Sequence, residues 1–167
     1  MLCSHRMSKK TTSPFYHACA SSLQIVGLQE CDILSCIWSK LLASACVNPA
    51  NALAHGFLDT LLAHPRTARL IEALATEVMA VGQAVGAKFA QTAAAWRAEC
   101  AAKWPRCKVS TLQDVEAGRE LEVAALVEVV VDMARQLGIA VPRLDTVCAL
   151  IHHRNENLVA ATNKTCH

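Results

Sequence analysis

The sequence predicts an all-α domain, because three features favour helices over sheets. Of its 167 residues, 53% are hydrophobic and only 4% are aromatic, and alanine is abundant, which suits closely packed helices better than a sheet of large side chains. Apolar residues recur at helical spacing between Pro and Gly signals. No alternating apolar and polar run separates these segments. We therefore expect a bundle of about six helices.

The predicted helices follow one another with short connections. We expect helical segments at about 33–47, a short piece to 55, 65–86, 91–104, 110–118, 121–137 and 143–157. Pro49 should end or kink the first helix, because proline has no N–H for the carbonyl four residues back. The helix from Pro65 is apolar nearly all round and should lie in the middle of the bundle. The helix from Gln91 should lie on its surface.

We expect three parts in chain order. Residues 1–26 should be a leader or linker without stable structure, because they contain no acid and lack the apolar core of a secretory signal. Residues 27–158 should form the helical domain, and residues 159–167 a frayed tail. No apolar run approaches the roughly 18 residues of a membrane span. We therefore expect a cytoplasmic protein that does not bind membranes.

Composition excludes several classes of function. The formal charge of +2 provides no basic field for nucleic acid. The nine cysteines form no CxxC or CxxH pair, so we expect free thiols and no metal site. His152 and His153 are adjacent and point to different helix faces, which disfavours a two-histidine metal clamp. No GxGxxG, GxxxxGK, GxSxG or HExxH pattern is present in the sequence.

One polar line interrupts the otherwise apolar first helix. It consists of Lys40, Ser44, Asn48 and Asn51, which recur at steps of four, four and three. On a helix these residues share one edge, and an ammonium, a hydroxyl and two amides can bind a small, oxygen-rich anion. Alternatively, Lys40 extends its charge into water and the amides satisfy backbone groups near Pro49. Spacing alone favours this second interpretation.

Two later residues have a structural and a functional interpretation. Ser110 with Gln113 forms a capping-box pattern at a helix start. Glu122 lies in line with an apolar stripe, which consists of Leu126, Val129, Met133 and Leu137. The carboxylate of Glu122 is either an acid favoured by the helix N-terminus or a group that faces a cleft and contacts a ligand.

Four segments together resemble the C-terminal domain of ketopantoate reductases (2-dehydropantoate 2-reductases). They are IWSKLLASACVNPANAL, HPRTARLIEALATEVMAVGQAVG, STLQDVEAGRELEV and ARQLGIAVPRLDTVCAL. The patterns WxKLxxxxxxNP, SxLQDxExGRxxE and LGxxxP occur in the order found in that family, between about Gly27 and Leu158. The resemblance implies a helical fold like the C-terminal domain of 6-phosphogluconate dehydrogenase. It also implies a role in pantothenate biosynthesis, with NADPH as the cofactor.

The resemblance assigns roles to individual residues. Lys40 matches the lysine that protonates the developing alkoxide as general acid. Asn48 and Ser110 match residues that contact the carboxylate and hydroxyl groups of the substrate. Glu122 matches a glutamate that contacts the nicotinamide end of the cofactor. For Ser110, the helix-capping role remains an equally good explanation.

The sequence departs from the family at two substrate contacts. Ser44 stands where members commonly have an asparagine, and Leu58-Asp59 replaces an Asn-Gly found in some members. These changes indicate either a related 2-keto acid or a relaxed site, in which Ser44 offers a hydroxyl.

A larger departure concerns the cofactor. In the family, NADPH is bound mainly by a Rossmann domain, and this sequence contains no such pattern. We expect a substrate-binding and catalytic-acid domain that is inactive alone and pairs with a Rossmann-domain partner or forms a homodimer. The alternative is a non-catalytic helical dimerisation or interaction module.

Overall fold

The computed structural model describes residues 32–104 and 110–165, which form seven helices. The helices are α1 (Ile33–Ala54), α2 (Leu58–Ala63), α3 (Pro65–Ala84), α4 (Ala93–Lys103), α5 (Ser110–Glu116), α6 (Glu122–Gln136) and α7 (Pro142–Thr165). No strand occurs among these residues, and the all-α prediction is confirmed. The predicted leader, residues 1–26, lies outside the described residues.

Helix α1 begins as its sequence indicates. Asp32 is its N-cap, and the backbone N–H of Ser35 donates to the Asp32 carboxylate at 2.8 Å. This hydrogen bond lowers the pKa of Asp32. The Ser35 hydroxyl also accepts from the backbone N–H of Lys88 at 2.8 Å. The start of α1 is therefore tied to the segment that follows α3.

Pro49 does not end α1, contrary to one of the two predicted outcomes. The helix continues to Ala54 and stops at His55, which adopts the left-handed conformation with φ 49°. Proline removes the hydrogen bond to the Ala45 carbonyl, but Ala45, Pro49 and Ala52 are buried by neighbouring helices. Tertiary packing of this turn outweighs the lost hydrogen bond.

Two other helices differ from the prediction. Helix α2 was not predicted, because six residues are too few to show a period, although Leu58, Leu61 and Leu62 are buried. Helix α7 continues to Thr165, past the predicted end at residue 157. The sequence contains no Pro or Gly after Pro142 to stop it. Residues 159–165, expected in the frayed tail, are helical.

Helices α1 and α3 lie at the centre of the bundle. These two helices pack against each other, and each also packs against α2, α6 and α7. In addition, α1 contacts α5, whereas α3 contacts α4. The two approach closely at Gly82, where an added Cβ would lie 2.8 Å from the Trp38 ring and 2.9 Å from the Phe89 ring. Helix α4 packs chiefly against α2 and α3 and buries just Trp96 and Cys100 of its eleven residues, so the prediction of a surface helix is confirmed.

Helix α1 is also long and apolar enough to cross a membrane. It has 22 residues, and its most apolar 18-residue window has a mean hydropathy of 1.3, which differs from the expectation that no run approaches this length. The core helix of a globular domain meets the same criterion. Because α1 packs against five other helices in the described part of the chain, apolar side chains such as Trp38, Leu42 and Val47 have protein partners, whereas Ile33 and Ile37 are exposed.

A buried carboxylate on α3 fixes the start of α7. Glu77 is only 7% exposed. It accepts hydrogen bonds from the backbone N–H groups of Leu144 at 2.8 Å and Arg143 at 3.3 Å, and it pairs with the Arg143 guanidinium at 3.3 Å. These are N–H groups of the first turn of α7, which have no partner within their own helix. Glu77 thus caps α7 from another helix.

We predict that Glu77→Leu lowers the free energy of unfolding by about 2–4 kcal/mol, because it leaves buried N–H groups without an acceptor. Glu77→Gln keeps one acceptor oxygen and should cost roughly half as much. Urea unfolding followed by circular dichroism measures both. The control is Glu72→Gln on the same helix, which breaks the more exposed Arg97 pair and should cost less than about 1 kcal/mol. Equal losses at residues 72 and 77 would contradict this account.

Candidate functional site

The polar line on α1 passes from solvent into the core. Lys40 is exposed, Ser44 and Asn48 are half-buried, and Asn51 is 0% exposed. From Lys40 to Asn51 the helix rises roughly 16 Å. We call these four residues the α1 edge. Its outer end is accessible to a ligand and its inner end is enclosed by protein.

The side chains of the α1 edge have no partners within the described part of the chain. Asn51 lacks a hydrogen bond at both amide atoms, and Lys40, Ser44 and Asn48 likewise form no side-chain hydrogen bond or ion pair there. The amides therefore do not satisfy backbone groups near Pro49. The part of the alternative interpretation that concerns the amides is therefore wrong, whereas the exposed Lys40 agrees with the part that concerns its charge.

The hydroxyl of Ser44 differs from those of three other helical residues. Ser39, Thr76 and Thr146 each donate to the carbonyl four residues earlier, at 2.7, 2.9 and 2.8 Å. This is the common local bond for a hydroxyl within a helix. Ser44 does not make it, so its hydroxyl remains available to a ligand.

Ser110 and Glu122 are the first residues of α5 and α6, and both side chains are exposed. Both helices pack against α1. At the far end of α5, the Glu116 carboxylate lies 4.0 Å from the His55 imidazole at the end of α1. The predicted site residues thus lie on α1 and on two helices that each contact α1. Residue 109, which precedes Ser110, lies outside the described residues, and the capping role of Ser110 stays a prediction.

The apolar stripe headed by Glu122 lies on the surface. Leu126, Val129 and Leu137 are 41%, 53% and 44% exposed. The core face of α6 consists instead of Ala124, Val127, Val130, Val131 and Ala134. A carboxylate at the head of an exposed stripe is not out of place. Glu122 keeps both of its interpretations, as an acid in the first turn and as a ligand contact.

A side chain of α7 holds the start of α6. The backbone N–H of Leu121, the N-cap of α6, donates to the Asn155 amide oxygen at 2.7 Å. This contact fixes the residue immediately before Glu122. Sequence reasoning missed it, because an asparagine within a helical segment gives no sign of a partner 34 residues away.

These features define an all-α domain with a polar edge open to a ligand. A family model, the ketopantoate reductase PanE/ApbA C-terminal domain, matches residues 32–155. The chain belongs to this family. A 2-dehydropantoate 2-reductase from Mesorhizobium japonicum is 34% identical over 120 residues, and one from Halobacterium salinarum is 31% identical over 115 residues.

The structure agrees with the family assignment. A dimeric ketopantoate reductase from Staphylococcus aureus superposes with a TM-score of 0.69 and 25% identity, covering 77% of this chain and 45% of that one. The sequence matches cover 72% and 69% of this chain, but 36% and 38% of the two relatives. The chain therefore spans little more than a third of the curated relatives it matches.

The thiols in the described residues are not arranged as a reactive site. Cys36, Cys46, Cys100 and Cys148 form no disulfide bond, and all but Cys36 are buried. Burial raises the pKa of Cys100 to about 12, with a further contribution from the Glu99 charge. Burial is also the main cause that raises the pKa of Cys46 and of Cys148. Buried neutral thiols are poor nucleophiles at neutral pH.

We predict that stability falls as the pH rises from about 9 to 12. The unfolded chain releases its thiol protons near pH 8.5, whereas folded Cys100 keeps its proton to about pH 12, so alkali favours unfolding. Cys100→Ala should reduce this slope by up to about 1.4 kcal/mol per pH unit. Urea unfolding across this range measures it. Between pH 7 and 8, the free energy of unfolding should change with pH equally in the unaltered chain and in Cys100→Ala. Identical slopes of this free energy above pH 9 would contradict the assignment to Cys100.

Proposed function

We propose that the chain supplies the substrate-binding surface and the proton donor for NADPH-dependent reduction of 2-dehydropantoate or a related 2-keto acid. The observation that carries the proposal is the α1 edge, whose polar groups have no partners among the described residues and begin at the exposed Lys40. Membership of the family and the names of the two relatives support it.

The chemistry of the edge suits this reaction. Reduction adds a hydride to the keto carbon and a proton to the keto oxygen. The Lys40 ammonium can donate that proton and stabilise negative charge as it develops on the oxygen. The Asn48 amide N–H can donate to the substrate carboxylate. The hydroxyls of Ser44 and Ser110 can hydrogen-bond the other oxygen atoms of the substrate.

The proposal assigns this chain one contact with the cofactor. NADPH, when bound, supplies the hydride. The exposed Glu122 carboxylate can accept hydrogen bonds from hydroxyl or amide groups at the nicotinamide end. The sequence contains no glycine-rich pattern for the phosphates. We therefore propose that a Rossmann-type domain binds most of the cofactor, and that this chain alone does not turn over.

We predict that the full chain, mixed with the part of the Mesorhizobium japonicum relative that lies outside the 120 matched residues, oxidises NADPH when 2-dehydropantoate is added. Lys40→Ala should lower kcat by roughly 10²–10⁴-fold, because the proton donor is lost. Lys40→Arg keeps the positive charge but holds its proton too tightly. It should therefore lower kcat with little change in KM. Absorbance at the reduced nicotinamide band measures the rate.

The matched control is Lys103→Ala, which removes a lysine that pairs with Glu99 on the surface of α4. Its rate should equal that of the unaltered chain. An unchanged rate for Lys40→Ala would eliminate Lys40 as the acid. Robust turnover by the chain without the second domain would contradict the requirement for a partner.

A second candidate function is a helical interaction module, favoured by the exposed apolar surface. Leu126 and Val129 on α6 are about half exposed, and Ile33 and Ile37 on α1 are 79% and 57% exposed. Surfaces of this kind commonly mark association sites. The S. aureus relative is described as dimeric, which supports considering self-association.

We predict that, if this module forms a dimer, light scattering of the isolated chain gives twice the monomer mass. Changing both Leu126 and Val129 to Lys should then restore the monomer mass, because a charged surface resists apolar association. The control is Leu70→Lys, which alters an exposed leucine on α3 and should leave the mass unchanged. A monomeric unaltered chain at high concentration would argue against a dimerisation module.

A further inference from the structure

Asn51 is the enclosed end of the α1 edge, and neither the resemblance nor the comparisons assign it a role. It is 0% exposed, and its amide nitrogen and oxygen are both buried without a hydrogen-bond partner in the described part of the chain. Burying an amide in this way is costly, and proteins rarely tolerate it. Ser35 and Glu77, also buried and polar, do have partners.

The Asn51 side chain leans toward the rest of the edge. Side chains on an α-helix tilt toward its N-terminus, so the Asn51 amide lies over the turn that contains Val47 and Asn48. Asn48 is half-buried, and so is Ser44, which lies one turn closer to the N-terminus of α1. The unsatisfied amide is therefore directed toward Asn48 and the more accessible part of the edge.

The chemistry of an amide limits what can satisfy it. The amide nitrogen donates and the oxygen accepts. A carboxylate only accepts and an ammonium only donates, so each leaves one atom unpaired. A hydroxyl donates and accepts through a single oxygen, which suits a narrow, enclosed position.

We propose that Asn51 binds a hydroxyl group of the ligand and makes the site selective for hydroxylated 2-keto acids. This inference rests on the proposed function and deepens it. Besides its keto acid group, 2-dehydropantoate has one primary hydroxyl on a short arm. The α1 edge would then bind the keto acid at its outer end and this hydroxyl at its inner end. A bound water presents the same chemistry, and the experiment must separate the two sources.

The test compares two ligands that differ only in the hydroxyl, 2-dehydropantoate and 3,3-dimethyl-2-oxobutanoate. Their dissociation constants for the full chain are measured by calorimetry. The unaltered chain should bind the hydroxylated ligand roughly 5–10-fold more tightly. Asn51→Leu, which has the same branching and number of side-chain heavy atoms but cannot hydrogen-bond, should reduce this preference to within about 2-fold and leave binding of the other ligand unchanged.

Thermal unfolding without ligand provides the second measurement. Asn51→Leu should unfold at the same temperature as the unaltered chain or higher, because it removes an unsatisfied buried amide. A control, Asn157→Leu at an exposed position of α7, should leave both dissociation constants unchanged.

Four results would overturn the proposal. One is equal affinity of the unaltered chain for the two ligands. Another is a preference that persists in Asn51→Leu together with a lower unfolding temperature, which would assign the amide to a resident water. The third is that the chain binds neither ligand, which would also defeat the proposed function. Binding of both ligands with no dependence on Asn51 defeats this inference alone.

Discussion

The close approach of α1 and α3 at Gly82 sets the direction that α1 faces. The Trp38 ring occupies the space where a Cβ of residue 82 would lie, 2.8 Å away, and only glycine permits this contact. Side chains two residues apart on a helix point about 200° apart. Because Trp38 packs against α3, Lys40 lies on the opposite side of α1. One packing contact in the core thus orients the whole α1 edge.

Long-range polar contacts fix the helix starts around this centre. Glu77 satisfies the first N–H groups of α7, and Asn155 holds the residue before Glu122. In each contact, a side chain of one helix accepts a hydrogen bond from a backbone N–H at the start of another helix. Such N–H groups have no acceptor within their own helix. Ser35 and Glu77 thus have partners that support the fold, whereas both amide atoms of Asn51 have none in the described part of the chain.

The sequence predicted the fold class and most helix starts, because caps and apolar periods are local signals. Spacing also pointed to the α1 edge, while the roles of Lys40 and Asn48 come from the resemblance in motif order and stay predictions. Local signals failed where tertiary packing decided the outcome. The helix continues through Pro49 because its turn is enclosed. Helix α6 is apolar on two faces, so periodicity did not show that Leu126 and Val129 lie on the surface.

The central claim is that the unpartnered groups of the α1 edge bind a 2-keto acid. The most direct measurement is titration of the isotopically labelled chain with 2-dehydropantoate, following the side-chain amide resonances by nuclear magnetic resonance. The account predicts that the Asn48 and Asn51 amides shift with one common saturation curve, while those of Asn155 and Asn157 on α7 stay in place. Saturable shifts confined to α7, or no saturable shift at all, would contradict it.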